Sequence, residues 1–120
     1  MGNYRYLEVW KKAHRLTLDV YRATSKYPPA ESFGLIGQTR RAAASIPMNL
    51  AEGCGRNSDN ELRRFSRISL GSANELTYQL LLAYDLCFLE ADNFATLDSQ
   101  TTEVTRMLVG LANALPSRRR

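Results

Sequence analysis

Apolar residues recur at three- and four-residue steps along most of the chain, and no stretch alternates apolar with polar as a half-buried strand does. The pattern predicts helices over about residues 6–26, 30–52, 58–89 and 93–115. In the first, Trp10, Ala13, Leu16 or Thr17, Val20 and Thr24 form one face, and Lys12, Arg15, Asp19 and Arg22 the other. Glu8 with Lys12, and Arg15 with Asp19, have i,i+4 ion-pair spacing. Tyr27-Pro28-Pro29 ends this helix, because a residue before proline is pushed out of helical backbone.

The second stripe is Ile36, Thr39, Ala43, Ile46 and Leu50. Pro47 lies inside it, so a kink is predicted: its ring crowds the Ala43 carbonyl, which loses its N–H partner. Asn49 is placed to satisfy that carbonyl. Ala42, Ala43, Ala44 and Ser45 are small enough to admit a neighbouring helix closely, and Gly53-Cys54-Gly55 reads as the helix stop.

Ser58-Asp59-Asn60-Glu61 is a capping box opening the third helix. Leu62, Phe65, Ser69, Ser72, Leu76, Gln79, Ala83 and Leu86 make its stripe, and a second apolar face, with Leu82 and with Tyr78, Leu81, Tyr84 and Phe88, appears after Leu76. One small bundle covers one stripe, so Tyr78, Leu81, Tyr84 and Phe88 are candidates for a homo-oligomer interface, unless the other three helices wrap them.

Asp92 or Asn93 can cap the fourth helix, where Phe94, Leu97, Thr101, Val104, Leu108, Leu111 and Leu115 form a heptad seam. Pro116 stops it, and residues 116–120 read as a short disordered tail. Short connections make neighbours antiparallel. The fold class is all-α: one antiparallel up-down-up-down four-helix bundle over residues 1–120.

Composition narrows the function. With 44% hydrophobic residues in 120, the chain can bury a core, and long disorder is excluded. The densest apolar run, Leu76 to Leu89, is short and broken by Gln79 and Asp85, so no membrane span is expected. Met1 to Trp10 lacks the apolar region of a secretory leader, which predicts a cytoplasmic protein. There Cys54 and Cys87 stay reduced, Cys54 as a loop thiol and Cys87 as a small buried hydrophobe. The single histidine, His14, reads as an edge residue without a partner. No Glu-x-x-His pair and no glycine-rich phosphate loop is present, so neither metal nor cofactor is expected, and the chain does not read as an enzyme.

Polar residues among the apolar stripes leave one structural expectation. Asn49, Glu52 and Glu75 suggest a network fixing helix register, with Arg40, Arg41 or Arg56 as partners for Glu52. Charge is the more informative feature. Residues 1–67 carry twelve basic and six acidic side chains, whereas residues 68–117 carry one basic and six acidic. Arg56, Arg63, Arg64 and Arg67 cluster, while Arg40 and Arg41 fall several turns away, towards the other end of the bundle. Such a surface suits phosphates, and equally a solvated face or head-to-tail docking of copies.

The run Gly34-Leu35, Gln38, Arg40-Arg41-Ala42, Ser45-Ile46-Pro47, Asn49, Ala51-Glu52-Gly53, Gly55-Arg56 is distinctive. With Trp10 and Ala13, Val20-Tyr21, Tyr27-Pro28, Arg64-Phe65, Gly71-Ser72 and Glu75-Leu76, it resembles the four-helix-bundle proteins encoded within intervening sequences of bacterial 23S ribosomal RNA genes. The likeness spans about Tyr6 to Leu89; the fourth helix matches in pattern alone. The resemblance implies pentameric rings and no catalytic residues. It also implies kinship with the accessory variability determinant of diversity-generating retroelements, a basic pentamer that binds nucleic acid and reverse transcriptase. The family's basic positions match at Arg40, Arg41, Arg56 and Arg64. On this reading Arg40, Arg56, Arg63 and Arg67 are RNA candidates, and Arg41 joins Asn49, Glu52 and Glu75 in the structural network. The competing expectation is a protein-interaction scaffold whose arginines contact neighbouring subunits and no nucleic acid.

Overall fold

Leu7, in extended backbone, separates a 3-10 turn at Tyr4–Tyr6 from the first helix, α1 (Glu8–Thr24). The computed structural model describes residues 3–116; the expected tail at 117–120 lies outside the described residues. After Tyr27-Pro28 a second 3-10 turn, Pro29–Glu31, leads to α2 (Leu35–Gly55). Then come α3 (Asp59–Asp85) and α4 (Ala91–Ala114). Each helix packs on its sequence neighbours, α4 closes on α1, and no diagonal pair packs directly. The result is the antiparallel up-down-up-down bundle, 50 Å long and 25 by 22 Å across.

The stripes meet inside. Leu16, Val20, Ile46, Leu50, Leu76, Leu80, Val104 and Leu108 are fully or almost fully buried. The α4 seam is buried at Leu97, Thr101, Val104 and Leu108, as its heptad spacing predicts. Small residues set the α2–α3 approach: Ser69 Oγ donates to the Ile46 carbonyl at 2.8 Å, and Ser45 hydrogen-bonds Ser72. The tightest point is Gly53, where a Cβ would stand 2.9 Å from Phe65 Cβ and 3.2 Å from Leu62 Cα.

Several helix ends differ from expectation, each for a local reason. α2 runs on through Gly53-Cys54-Gly55, and the left-handed residue that turns the chain is Asn57, at φ 57°. α3 stops at Asp85, four residues short of Leu89, because Cys87 adopts φ 65° and Phe88 N–H donates back to the Ala83 carbonyl. The cysteine assignments are therefore reversed: Cys54 is buried and Cys87 exposed. Burial pushes the Cys54 thiol pKa up. Glu90 occupies the α4 cap position without a side-chain bond, in place of Asp92 or Asn93. Ser58 does cap α3, accepting from Glu61 N–H at 3.2 Å, but the Glu61 carboxylate turns to arginines.

α2 continues helical through Pro47. The Ala43 carbonyl that proline deprives of a donor lies 3.1 Å from Thr17 Oγ1 of α1, whose one proton it shares with the Ala13 carbonyl at 2.8 Å. Asn49 does not reach it; its amide donates to the Ser45 carbonyl at 2.8 Å. Surface pairing on α1 also differs: Glu8 pairs with Lys11, Asp19 with Arg22, and Lys12 crosses to Glu103 of α4. Among the described residues no helix is long and apolar enough to cross a membrane.

Candidate functional site

Antiparallel packing sorts charge along the bundle axis. The end where α2 hands over to α3 gathers Arg56, Arg63, Arg64 and Arg67, beside the start of α1 with Arg5, Lys11 and Lys12. The opposite end, where α3 hands over to α4, carries Asp85, Glu90, Asp92 and Asp98, beside the end of α1 with Arg22 and Lys26. Arg40 and Arg41 lie toward that second end, as their chain positions predict.

The arginines do different work. Arg40 is a clasp: its Nε donates to Thr24 Oγ1 at 2.7 Å, its Nη2 to the Tyr21 carbonyl at 3.0 Å, and its guanidinium lies 4.6 Å from the centre of the Tyr21 ring. Arg63 does the same for α4, whose last turn has no basic residue of its own: Nη2 donates to the Leu115 carbonyl at 2.7 Å and Nε to that of Ala112 at 3.3 Å. In both, a cation from an adjacent helix meets the negative dipole end of a C-terminus; the Tyr21 carbonyl that Arg40 reaches also accepts the Ser25 N–H. Sequence reasoning missed these clasps because the partner helix is contiguous only in space.

Arg56 and Arg64 flank the Phe65 ring at 5.2 and 4.4 Å and share the Glu61 carboxylate. The Arg64 hydrogen bonds hold the Glu61 carboxyl below the usual carboxylate range, and the same bonds raise the Arg64 pKa. Arg56 also pairs with Glu52 at 3.0 Å, one of the pairings expected for that carboxylate. Arg67 is exposed and makes no hydrogen bond or ion pair among the described residues. With Asn60, Arg63, Arg64 and Ile68 it lines an open, cationic groove on α3.

The expected polar network is not assembled. Arg41 and Glu75 share a surface depression with Gln38 and Ser45, whereas Asn49 bonds within α2 and Glu52 faces solvent beside Arg56. Of the expected interface residues, Tyr78, Leu81 and Tyr84 are exposed on α3, 61%, 43% and 39% respectively. Tyr84 stacks on Phe94 of α4 at 4.7 Å. Phe88 is a correction: lying past the end of α3, it turns inward, half-buried against the core with its ring 5.8 Å from Tyr27. One cluster went unread in the sequence. Trp10 and His14 stack on the α1–α2 face with Tyr4 tilted against the indole, and the i,i+4 spacing of Trp10 and His14 was the cluster's only linear sign. Among the described residues no group of three His, Cys, Asp or Glu side chains is placed to hold a metal.

Comparison with known proteins follows the same lines. The family model described as 23S rRNA-intervening sequence protein matches residues 5–110. A crystal structure from Bacteroides thetaiotaomicron, described as a protein of unknown function from the S23 ribosomal protein family, superposes with a TM-score of 0.81. It shares 20% identity, over 88% of this chain and 96% of its own, which is a likeness of fold. No curated protein matches the chain.

Proposed function

The chain belongs to the 23S rRNA-intervening sequence protein family, and from that premise we propose a non-catalytic, self-associating bundle that binds structured RNA through its basic end. The observation that carries the reading is the axial separation of charge, with Arg67 exposed and unpaired among the described residues, beside Arg64 on an open groove. A phosphate backbone reaching that end meets cations already held in place by Phe65 and Glu61. Arg64 and Arg67, with Arg56 beside them, carry the proposed contacts. Arg40 and Arg63 contribute mainly through the clasps that hold α1 and α4.

Self-association is proposed through Tyr78, Leu81 and Tyr84, and as a pentamer on the family resemblance. The proposed setting is the cytoplasm. The exposed α3 face also favours a second reading, a protein-interaction scaffold without nucleic acid.

Fluorescence anisotropy decides between them, with structured ribosomal RNA fragments and a duplex DNA control at low and moderate salt. Binding is expected to fall steeply with salt. Arg67→Glu and Arg64→Glu should each weaken it and lower the salt slope by about 0.7–0.9 for every phosphate no longer neutralised. Unchanged affinity in both variants would remove this surface from the reading, and absence of binding at low salt would leave the scaffold.

A further inference from the structure

We infer that the groove between α1 and α2 at the basic end is a stacking site for an unpaired nucleobase, so that the RNA bound there is single-stranded at the point of contact. This rests on the reading above and specifies its ligand.

The groove holds about 260 Å³ and is lined by Tyr4, Trp10, His14, Pro47 and Met48, with small Thr17, Ala44 and Ala51 at its floor. Its aromatic wall is organised before any ligand arrives. The Trp10 indole and His14 imidazole lie nearly parallel, 9° apart with centroids at 5.0 Å, and Tyr4 tilts against the indole at 4.9 Å. Trp10 is half-buried and anchored on the core, which fixes the plane of the stack. His14 is exposed and Met48 is 67% exposed, so the outer side of the wall is open.

Charge selects the occupant. The Arg5 guanidinium sits 5.4 Å from the centre of the Tyr4 ring, at one end of the stack. No carboxylate lines the groove, and the two nearest in sequence, Glu8 and Glu52, are paired with Lys11 and Arg56. Flat rings with a cation at one end suit a base on its face and a phosphate at its edge. A duplex offers no free base face, so an unpaired nucleotide is required. The groove and the arginine cluster are joined by one helix: α2 carries Met48 on the groove wall, and Arg56 at its C-cap shares the Phe65 ring with Arg64.

Trp10 is the only tryptophan in the chain, so its emission reports on this groove alone. The full-length protein is titrated with a short unstructured oligoribonucleotide, and with the same strand annealed to its complement. Saturable quenching of Trp10 by the single strand, and little by the duplex, is expected. His14→Ala and Met48→Glu should each weaken single-strand binding about tenfold, the loss of roughly one stacked base. Both residues are exposed, so helix content by circular dichroism should not change. His14→Ala should leave the salt slope unaltered, unlike Arg67→Glu.

Anisotropy that reports RNA binding while Trp10 emission stays constant, and both groove variants bind like the parent, would overturn the stacking site and leave the basic-end reading intact. Loss of all RNA binding at low salt removes both. Trp10 emission that follows protein concentration and ignores RNA would assign the groove to a second copy of the chain and overturn the inference.

Discussion

Gly53 and Gly71 both lie inside helices, yet they ask for opposite outcomes. A Cβ on Gly53 would meet Phe65 Cβ at 2.9 Å, with no flexible chain end to yield, whereas Gly71 has nothing within 4 Å. Gly53→Ala should destabilise the fold by about 1–3 kcal/mol, as overpacking does, and Gly71→Ala should stabilise it by about 0.5–1 kcal/mol. Urea denaturation of the two variants against the parent measures both. Tyr27 offers a second residue-scale test. Its hydroxyl is buried and bonds to no protein group among the described residues, and burial pushes its pKa up to about 12 from 10.0. A raised folded-state pKa favours the protonated form. Its contribution is therefore fully present below pH 10 and is lost as the pH rises towards 12. Tyr27→Phe should fold at least as stably at neutral pH and show a shallower stability loss over that alkaline window, followed by denaturant midpoint against pH.

At the scale of elements, the bundle depends on carbonyls that a neighbouring helix must satisfy. Thr17 Oγ1 reaches the Ala43 carbonyl orphaned by Pro47 across the α1–α2 contact, sharing its proton between that carbonyl and its own Ala13 carbonyl. Thr17→Val keeps the shape and removes the donor, so it should cost about 1–3 kcal/mol, read from the midpoint of thermal or urea unfolding. In a Pro47→Ala background the substituted position regains a backbone N–H for that carbonyl, and the penalty should shrink; an unchanged penalty would show that the hydroxyl serves packing alone. Val104 tests the α4 seam. It is fully buried, and Val104→Asp places an unpaired carboxylate in the core, at a cost of several kcal/mol out of a typical stability of about 5–15 kcal/mol. Far-ultraviolet circular dichroism should show loss of helix or a strongly lowered Tm.

For the whole molecule, four helices cover one core and leave a stretch of α3 bare. Tyr78, Leu81 and Tyr84, with Leu86 49% exposed just beyond, form more apolar surface than isolated outward side chains would. Leu81→Asp should leave helix content intact and reduce the native mass measured by sedimentation velocity. An unaltered mass would overturn the proposal that this face carries self-association. Because Leu81 faces away from the core, this variant separates assembly from folding, which Val104→Asp does not.

The four helices, their antiparallel order and the buried seam of α4 were legible in the linear pattern, because periodicity and capping are local and act on neighbours in the chain. So was the gathering of Arg56, Arg63, Arg64 and Arg67 at one end, since a short turn keeps them together. The Arg56–Glu52 pair was among the expected ones, but what Arg40 and Arg63 touch was not legible. Arg63 meets carbonyls about fifty residues away, and Arg40 meets the end of α1, because helix C-termini attract whichever cation the bundle brings alongside. The polar group expected around Asn49 and Glu75 dissolved for a related reason: side chains on one stripe still face different neighbours once helices cross. The early end of α3 followed from a left-handed Cys87, a conformation that apolar periodicity does not encode. The Trp10–His14 pair is local to α1, but Tyr4 and the α2 wall that make it a groove are brought to it only by the 3-10 turn and the α1–α2 packing, so that groove belongs to the tertiary structure.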